Sequence, residues 1–308
     1  MGRVKRLLCL LLLLTAPLYA APLGEGYEAL QRGDLDLSER LFARVEGESG
    51  RVARARLAIA RGLYEEAAEI VSGNSLSERV TRLEILCRAE DYTEARALLT
   101  QLEQETHSNF PSPYDFQFYL YRGLLELRSY RPNLAEKNFK LALVKARTAD
   151  QKCQAHDRLT QVGLLEGDLK KASEAYLSTA PLMGDLKDNW VLVEHLDIGS
   201  SLNYEKGELA TAAAMSQAVR KLYQQNQSPV KAAQSLYDTR KFSDYSNNFE
   251  ESYQITQRSI KELMQAGADL QAARLLDSYI KLYFNLASKR DRAQFLKELD
   301  EAIARLSP

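Results

Sequence analysis

Three histidines, His107, His156 and His195, and three cysteines, Cys9, Cys87 and Cys153, are the residues from which a nucleophilic, proton-transfer or metal site would have to be built. Two ligands share one helix face only when they stand three or four residues apart. No second histidine stands at that distance from another, and the cysteines have no metal-ligand spacing. No metal site and no cofactor are therefore expected. His156-Asp157 and Glu194-His195 put an imidazole beside a carboxylate, the pairing that holds a proton near neutrality. Consecutive residues of a helix do not face each other, however, so adjacency is not contact. Gly-x-Ser-x-Gly and glycine-rich phosphate loops are absent. Gly199-Ser200-Ser201 lies inside a helical pattern, where small residues serve close packing, and the sole tryptophan, Trp190, reads as a packing residue near a helix start. The expectation is a chain with no catalytic residues, not an enzyme.

The composition agrees. Lysine and arginine number 41 against 42 acidic residues in 308, a formal charge of -1, and the two signs are interspersed. Such a surface does not track phosphates, so nucleic acid is not an expected partner. The first twenty residues differ in kind. Arg3, Lys5 and Arg6 precede an apolar run from Leu7 to Leu14, and Leu18-Tyr19-Ala20 offers a small-residue exit. This is the pattern of a cleavable export signal over 1–20, cut after Ala20. The run falls short of the roughly 20 residues that cross a bilayer. Cys9 sits inside the apolar run, which excludes lipidation there. Loss of Arg3, Lys5 and Arg6 takes the formal charge from -1 to -4. The expected product is periplasmic or secreted, with no integral membrane segment and with Cys87 and Cys153 as buried thiols.

The elements that would carry any site are legible from a recurring turn. Gly33-Asp34-Leu35 is followed by Ser38 and Phe42, Gly62-Leu63-Tyr64 by Ala67 and Val71, and Glu90-Asp91-Tyr92 by Ala95 and Leu99. Gly167-Asp168-Leu169 is followed by Ala172 and Tyr176, Gly207-Glu208-Leu209 by Ala212, and a weaker copy is Asn247-Asn248-Phe249 with Ser252. Gly or Asn ends one helix in a left-handed conformation and the acidic residue starts the next. The following Leu, Tyr or Phe plugs the corner, and the small residue lets two antiparallel helices approach. The early copies step by 28 and 29 residues and the late ones by 40, and the long interval between Glu90 and Gly167 demands a further copy near 130. Gly123, Ala135, Phe139 and Ala142 supply it.

These turns, the small residues Ala67, Ala95, Ala135, Ala172 and Ala212, the aromatics Phe42, Phe139 and Tyr176, and Tyr119 with Gly123 resemble the tetratricopeptide (TPR) repeat, a helix-turn-helix unit of about 34 residues. The resemblance implies an all-α, right-handed superhelical solenoid of about seven antiparallel helix pairs. It divides the chain into short repeats over 21–106, a proline-containing loop at 107–115, and longer repeats of about 40 residues over 116–308 that end in a capping helix pair. "QQNQSP" at 224–229 reads as a connector. The resemblance further implies that the first helix of each pair lines a concave groove that holds a protein or peptide segment. On that register the partner-binding candidates are Gln117, Gln161, Asn203, Tyr204, Tyr237, Lys241 and Tyr245. The expected function is a non-enzymatic scaffold or adaptor in the cell envelope. The alternative is a sensory module that relays binding of a small molecule or peptide to a membrane partner; it calls for an enclosed pocket.

Overall fold

The computed structural model describes residues 21–106, 110–246 and 248–283, together with Lys297. The expected export signal, His107 and the expected capping helices beyond residue 283 lie outside the described residues. The chain divides into two compact units at Lys206/Gly207. The helix pairs on either side of the 107–115 segment fall in the same unit.

Unit 1 holds eleven helices among its described residues. They are α1 (21–31), α2 (Leu35–Phe42), α3 (Gly47–Arg61), α4 (Tyr64–Ile70), α5 (Leu76–Arg88), α6 (Tyr92–Glu105), α7 (Asp115–Arg128), α8 (Pro132–Lys145), α9 (Ala149–Glu166), α10 (Leu169–Leu177) and α11 (Asn189–Glu205), with a 3₁₀ turn at Ala180–Asp185 before the last. Unit 2 holds α12 (Leu209–Gln225), α13 (Pro229–Asp238), α14 (Arg240–Tyr245), α15 (Phe249–Gln265) and α16 (Asp269–Tyr283). No strand occurs among the described residues.

The turns work as their sequence suggests. Gly33, Gly62, Gly167 and Gly207 all take positive φ, between 71° and 84°, a region open to glycine without steric cost. Asp34, Asp91 and Asp168 then cap the following helices, their carboxylates accepting from the backbone N–H of Leu37, Glu94 and Lys171 at 2.9–3.1 Å. Each such cap contributes about 1 kcal/mol. Three copies carry no glycine: Glu90, Tyr130 and Gln227 stand at φ 61°, 55° and 53°. Gln227 therefore belongs to a repeat turn joining α12 to α13, as Gly267 (φ 75°) joins α15 to α16.

The small residues of the pattern are where the helices meet. Ala67, Ala95, Ala135, Ala172 and Ala212 are all fully buried. Phe42 and Phe139 are also fully buried and lie against Gly26 and Gly123, where any Cβ would strike the ring. Burying each such aromatic contributes roughly 1.5–3 kcal/mol, available only because the facing residue has no side chain. No helix among the described residues is long and apolar enough to cross a membrane.

Candidate functional site

In unit 1 the first helices of the pairs do not line an open groove. They surround one polar cavity of about 290 Å³, to which α1 gives Gln31, α3 Arg56, α5 Glu84, α7 Gln117, α9 Arg158 and α11 Glu194. The closure is made at the start of α11. Trp190 donates its indole N–H to the carbonyl of Leu30 (2.8 Å), and the Asn189 amide donates to the carbonyl of Arg32 (2.8 Å). The indole packs against the cluster formed by Leu30, Leu35, Phe42 and Leu57. Asp188 caps α11 by accepting from the backbone of Trp190 (2.9 Å), which sets the indole's direction.

An alternating chain of charges crosses the cavity. Arg56 Nη1 stands 4.0 Å from Glu84 Oε2. Arg88 donates to Glu84 Oε1 (3.1 Å) and to Glu194 Oε1 (2.7 Å), and Arg158 donates to Glu194 Oε2 (3.3 Å). Helices α3, α5, α9 and α11 are thereby tied through side chains more than a hundred residues apart in sequence. Burial acts to raise the pKa of Glu84, yet the charges of Arg88 and Arg56 outweigh it and hold the carboxyl below its ordinary value. Arg88 is the converse: burial disfavours its charge, while Glu194 and Glu84 hold its pKa well above the usual value. Ions taken from water cost several kcal/mol each unless paired, so the chain specifies the closed arrangement more than it adds stability. Asp188 has no such cation at hydrogen-bonding distance among the described residues, and burial pushes its carboxyl up to about 6.

A second polar cluster lies behind α9 and α11. His195 Nδ1 is 2.8 Å from Asp157 Oδ1, the Cys153 thiol donates to Asp157 Oδ2 (3.6 Å), and the Thr179 hydroxyl is 3.5 Å from His195 Nε2. Tyr176 stacks on the imidazole at 4.3 Å. Neither neighbouring pair of the sequence, His156-Asp157 or Glu194-His195, makes this contact; the partners are the crosswise ones, Asp157 of α9 and His195 of α11. Cys153, Asp157 and His195 place one ligand atom each within 4.8 Å of one another, the only such group of three among the described residues. They could hold a metal ion, which the expectation of no metal site did not foresee. As they stand, the carboxylate is spent on hydrogen bonds to the other two. Burial raises the Cys153 thiol far above its ordinary value and keeps it neutral. All three are at most 5% exposed, so the cluster has no access for a substrate. Burial also makes both cysteines free, inert thiols.

The seven candidates for partner binding fall into both units. Gln117 lines the cavity, and its Oε1 is buried without a hydrogen-bond partner among the described residues. Gln161 accepts from Arg158 (2.9 Å) and also lines a shallow pocket of about 340 Å³ with Leu127, Tyr130, Leu164, Leu165 and Ile198. Asn203 spends its amide on the carbonyl of Gly199 (2.7 Å), and Tyr204 is half-buried near the end of α11. In unit 2, Tyr237 lies under the Arg240 guanidinium (4.8 Å), Lys241 extends over Phe242 (5.4 Å), and Tyr245 is exposed. Missing from the candidates were Arg56, Glu84, Arg88, Arg158 and Glu194. Charged residues at mid-helix on successive first helices are the signal that marks them.

No family model matches the chain, and no curated protein sequence matches it. Among solved structures it is similar to a Signal Transduction ATPase with Numerous Domains (STAND) protein with a tetratricopeptide repeat sensor from Pyrococcus horikoshii. The TM-score is 0.53 at 13% identity over 80% of this chain, which spans 40% of the length of that one. Matches extend to the APC/C hetero-tetramer Cut9–Hcn1 (TM-score 0.40, 14% identity, 88% of this chain and 56% of that one). They extend also to a Rap protein complexed with Competence and Sporulation Factor (TM-score 0.33, 14% identity, 94% and 98%). The all-α architecture of antiparallel pairs is thus of the tetratricopeptide repeat type.

Proposed function

We propose that the chain is a non-enzymatic scaffold or adaptor of the cell envelope, exported by its first twenty residues, that binds a protein or peptide partner through its helical repeats. The observation that carries this reading is the shallow pocket between the C-terminal ends of α7 and α9 and the middle of α11. Tyr130, held at positive φ in the turn and 80% exposed, stands beside Leu127, Leu164, Leu165 and Ile198. An aromatic anchor among aliphatic side chains with polar Gln161 and Asp197 at the edge has the composition of a protein-binding patch. The aromatic, basic surface of Tyr237, Lys241 and Tyr245 offers unit 2 a contact of its own. Recovery of partners from envelope extract by the full chain, beside a Tyr130→Ser variant and a Tyr237→Ala, Tyr245→Ala variant, tests it. A protein lost with either variant while the helical circular dichroism is retained supports the reading. Partners captured equally by all three proteins contradict it.

The second reading, a sensory module for a small ligand, is favoured by the polar cavity that the first helices ring. An extended segment lies in an open groove, whereas a volume near 290 Å³ is at the lower edge of small-molecule sites.

A further inference from the structure

The cavity of unit 1 is lined by two polar groups with hydrogen-bonding capacity that the described residues do not use. Arg56 makes no hydrogen bond to any described residue; its one ionic neighbour is Glu84 at 4.0 Å, and Glu84 is already bonded to Arg88 at 3.1 Å. A guanidinium carries five donors in a planar fork suited to a two-oxygen anion. Elsewhere on the wall of the same cavity, Gln117 Oε1 is a buried acceptor with no donor among the described residues. A buried acceptor such as Gln117 Oε1 is expensive to leave unpaired, while the Arg56 guanidinium, 34% exposed, has donors to spare, and both line a volume large enough for a small solute. A fitting solute presents a carboxylate to Arg56 and an N–H to Gln117.

Charge narrows the class. Arg56, Arg88 and Arg158 face Glu84, Glu194, Asp150 and Asp188 around the cavity, a formal balance of one negative charge. A simple anion would add to that excess, and a simple cation would meet Arg56 with nothing to neutralise it. A zwitterion leaves the balance unchanged and uses both signs, with Asp150 and Asp188 opposing its ammonium. Asp150 and Asp188 are held side by side, since Asp150 Oδ1 accepts the backbone N–H of both Lys187 (3.0 Å) and Asp188 (3.1 Å).

We propose that this cavity binds a free α-amino acid or a close zwitterionic analogue, with Arg56 holding the carboxylate and Gln117 accepting from the ammonium. The proposal rests on the small-ligand reading of the chain and names its ligand class.

Calorimetric titration and thermal shift of the full chain against the free proteinogenic amino acids test it, with the methyl ester and N-acetyl derivative of any binder and its tripeptide as comparisons. The expected result is saturable binding of at least one amino acid. The ester and the N-acetyl form should each bind at least about ten-fold more weakly, since each loses a charge-assisted contact. Arg56→Gln and Gln117→Met should each lower the affinity by about ten-fold or more; Gln117→Met should keep the unliganded melting midpoint, since the Gln117 Oε1 has no hydrogen-bond partner among the described residues, whereas Arg56→Gln also gives up the ion pair with Glu84. Binding that survives esterification or both substitutions overturns the proposal. Tripeptide binding without free amino-acid binding overturns it in favour of a chain end. Capture of a different small solute, such as an organic anion, by the same cavity overturns the zwitterion and leaves the small-ligand reading standing. No binding by any of these probes removes both.

Discussion

Trp190 and Leu30 are 160 residues apart in sequence and share a 2.8 Å hydrogen bond from indole N–H to backbone carbonyl. That contact joins the first and last of the first helices in unit 1, beside the cavity they both line. The Leu30 carbonyl also accepts from Gly33 at 3.0 Å, so losing the indole donor leaves no wholly unsatisfied acceptor. Trp190→Phe should therefore cost only about 1 kcal/mol, read by urea unfolding. Trp190→Ala also removes the packing against Phe42 and Leu57 and should cost about 2 kcal/mol or more. Equal effects of the two substitutions would mean that packing contributes nothing to the closure.

Helices α9 and α10 approach most closely where Gly163 meets Ala172. A methyl group on Gly163 would lie 2.6 Å from the backbone nitrogen of Ala172 and 2.9 Å from its Cβ. Backbone cannot rotate away as a side chain can, so Gly163→Ala should destabilise by about 1–3 kcal/mol. Gly184→Ala, at a site with nothing within 4 Å, is the control and should leave the unfolding midpoint nearly unchanged. A neutral Gly163→Ala would contradict the close crossing.

Asp188 gives the fold a pH dependence of definite sign. Its carboxyl is raised by burial from 3.8 to about 6, so between these values the folded chain holds a proton that the unfolded chain has released. Stability from this group is greatest below about pH 4 and falls as pH rises toward 6. Asp188→Asn keeps an acceptor for the Trp190 N–H and removes the titration. The variant should show a flatter stability profile from pH 4 to 6 and gain on the order of 2 kcal/mol relative to the parent chain at pH 7. Parallel profiles for the two proteins would refute this assignment.

Thiol chemistry should be silent in the native state. Burial pushes Cys87 up to about 12 and raises Cys153 further, and neither is more than 4% exposed. An aromatic disulfide reagent should label neither residue until the protein unfolds. The count after unfolding also reports on export: two thiols if the first twenty residues have been removed, three if Cys9 remains. Rapid native labelling would contradict the burial of these side chains.

The repeat architecture was legible because glycine advertises its conformation. Gly33, Gly62, Gly167 and Gly207 take the left-handed backbone that their turns require, and the alanines three residues after each corner residue are buried where helices touch. Tyr130 and Gln227 take the same conformation without a glycine to mark it. For that reason "QQNQSP" reads as a connector when it is a repeat turn. The inner register of a first helix, legible in the sequence, is where Gln117 stands and why it lines the cavity. The charge chain was not legible, since Arg88 and Glu194 are 106 residues apart and no local spacing brings them together. Closure depends on how far successive pairs rotate, a property of packing and not of any one motif. The Asp157–His195 pair escaped for a related reason: the sequence places His156 and Glu194 beside them, and the helices turn those neighbours away.

The claim that matters most is that unit 1 closes upon itself. Nitroxide labels at Arg32→Cys and Lys187→Cys, both exposed positions flanking the Asn189 to Arg32 hydrogen bond, measure it directly by double electron–electron resonance against a background of unreactive Cys87 and Cys153. A single narrow population at short separation is the expected result. A long or broad distribution would mean that the first helices line an open groove in solution, and the cavity with its ligand would fall with the closure.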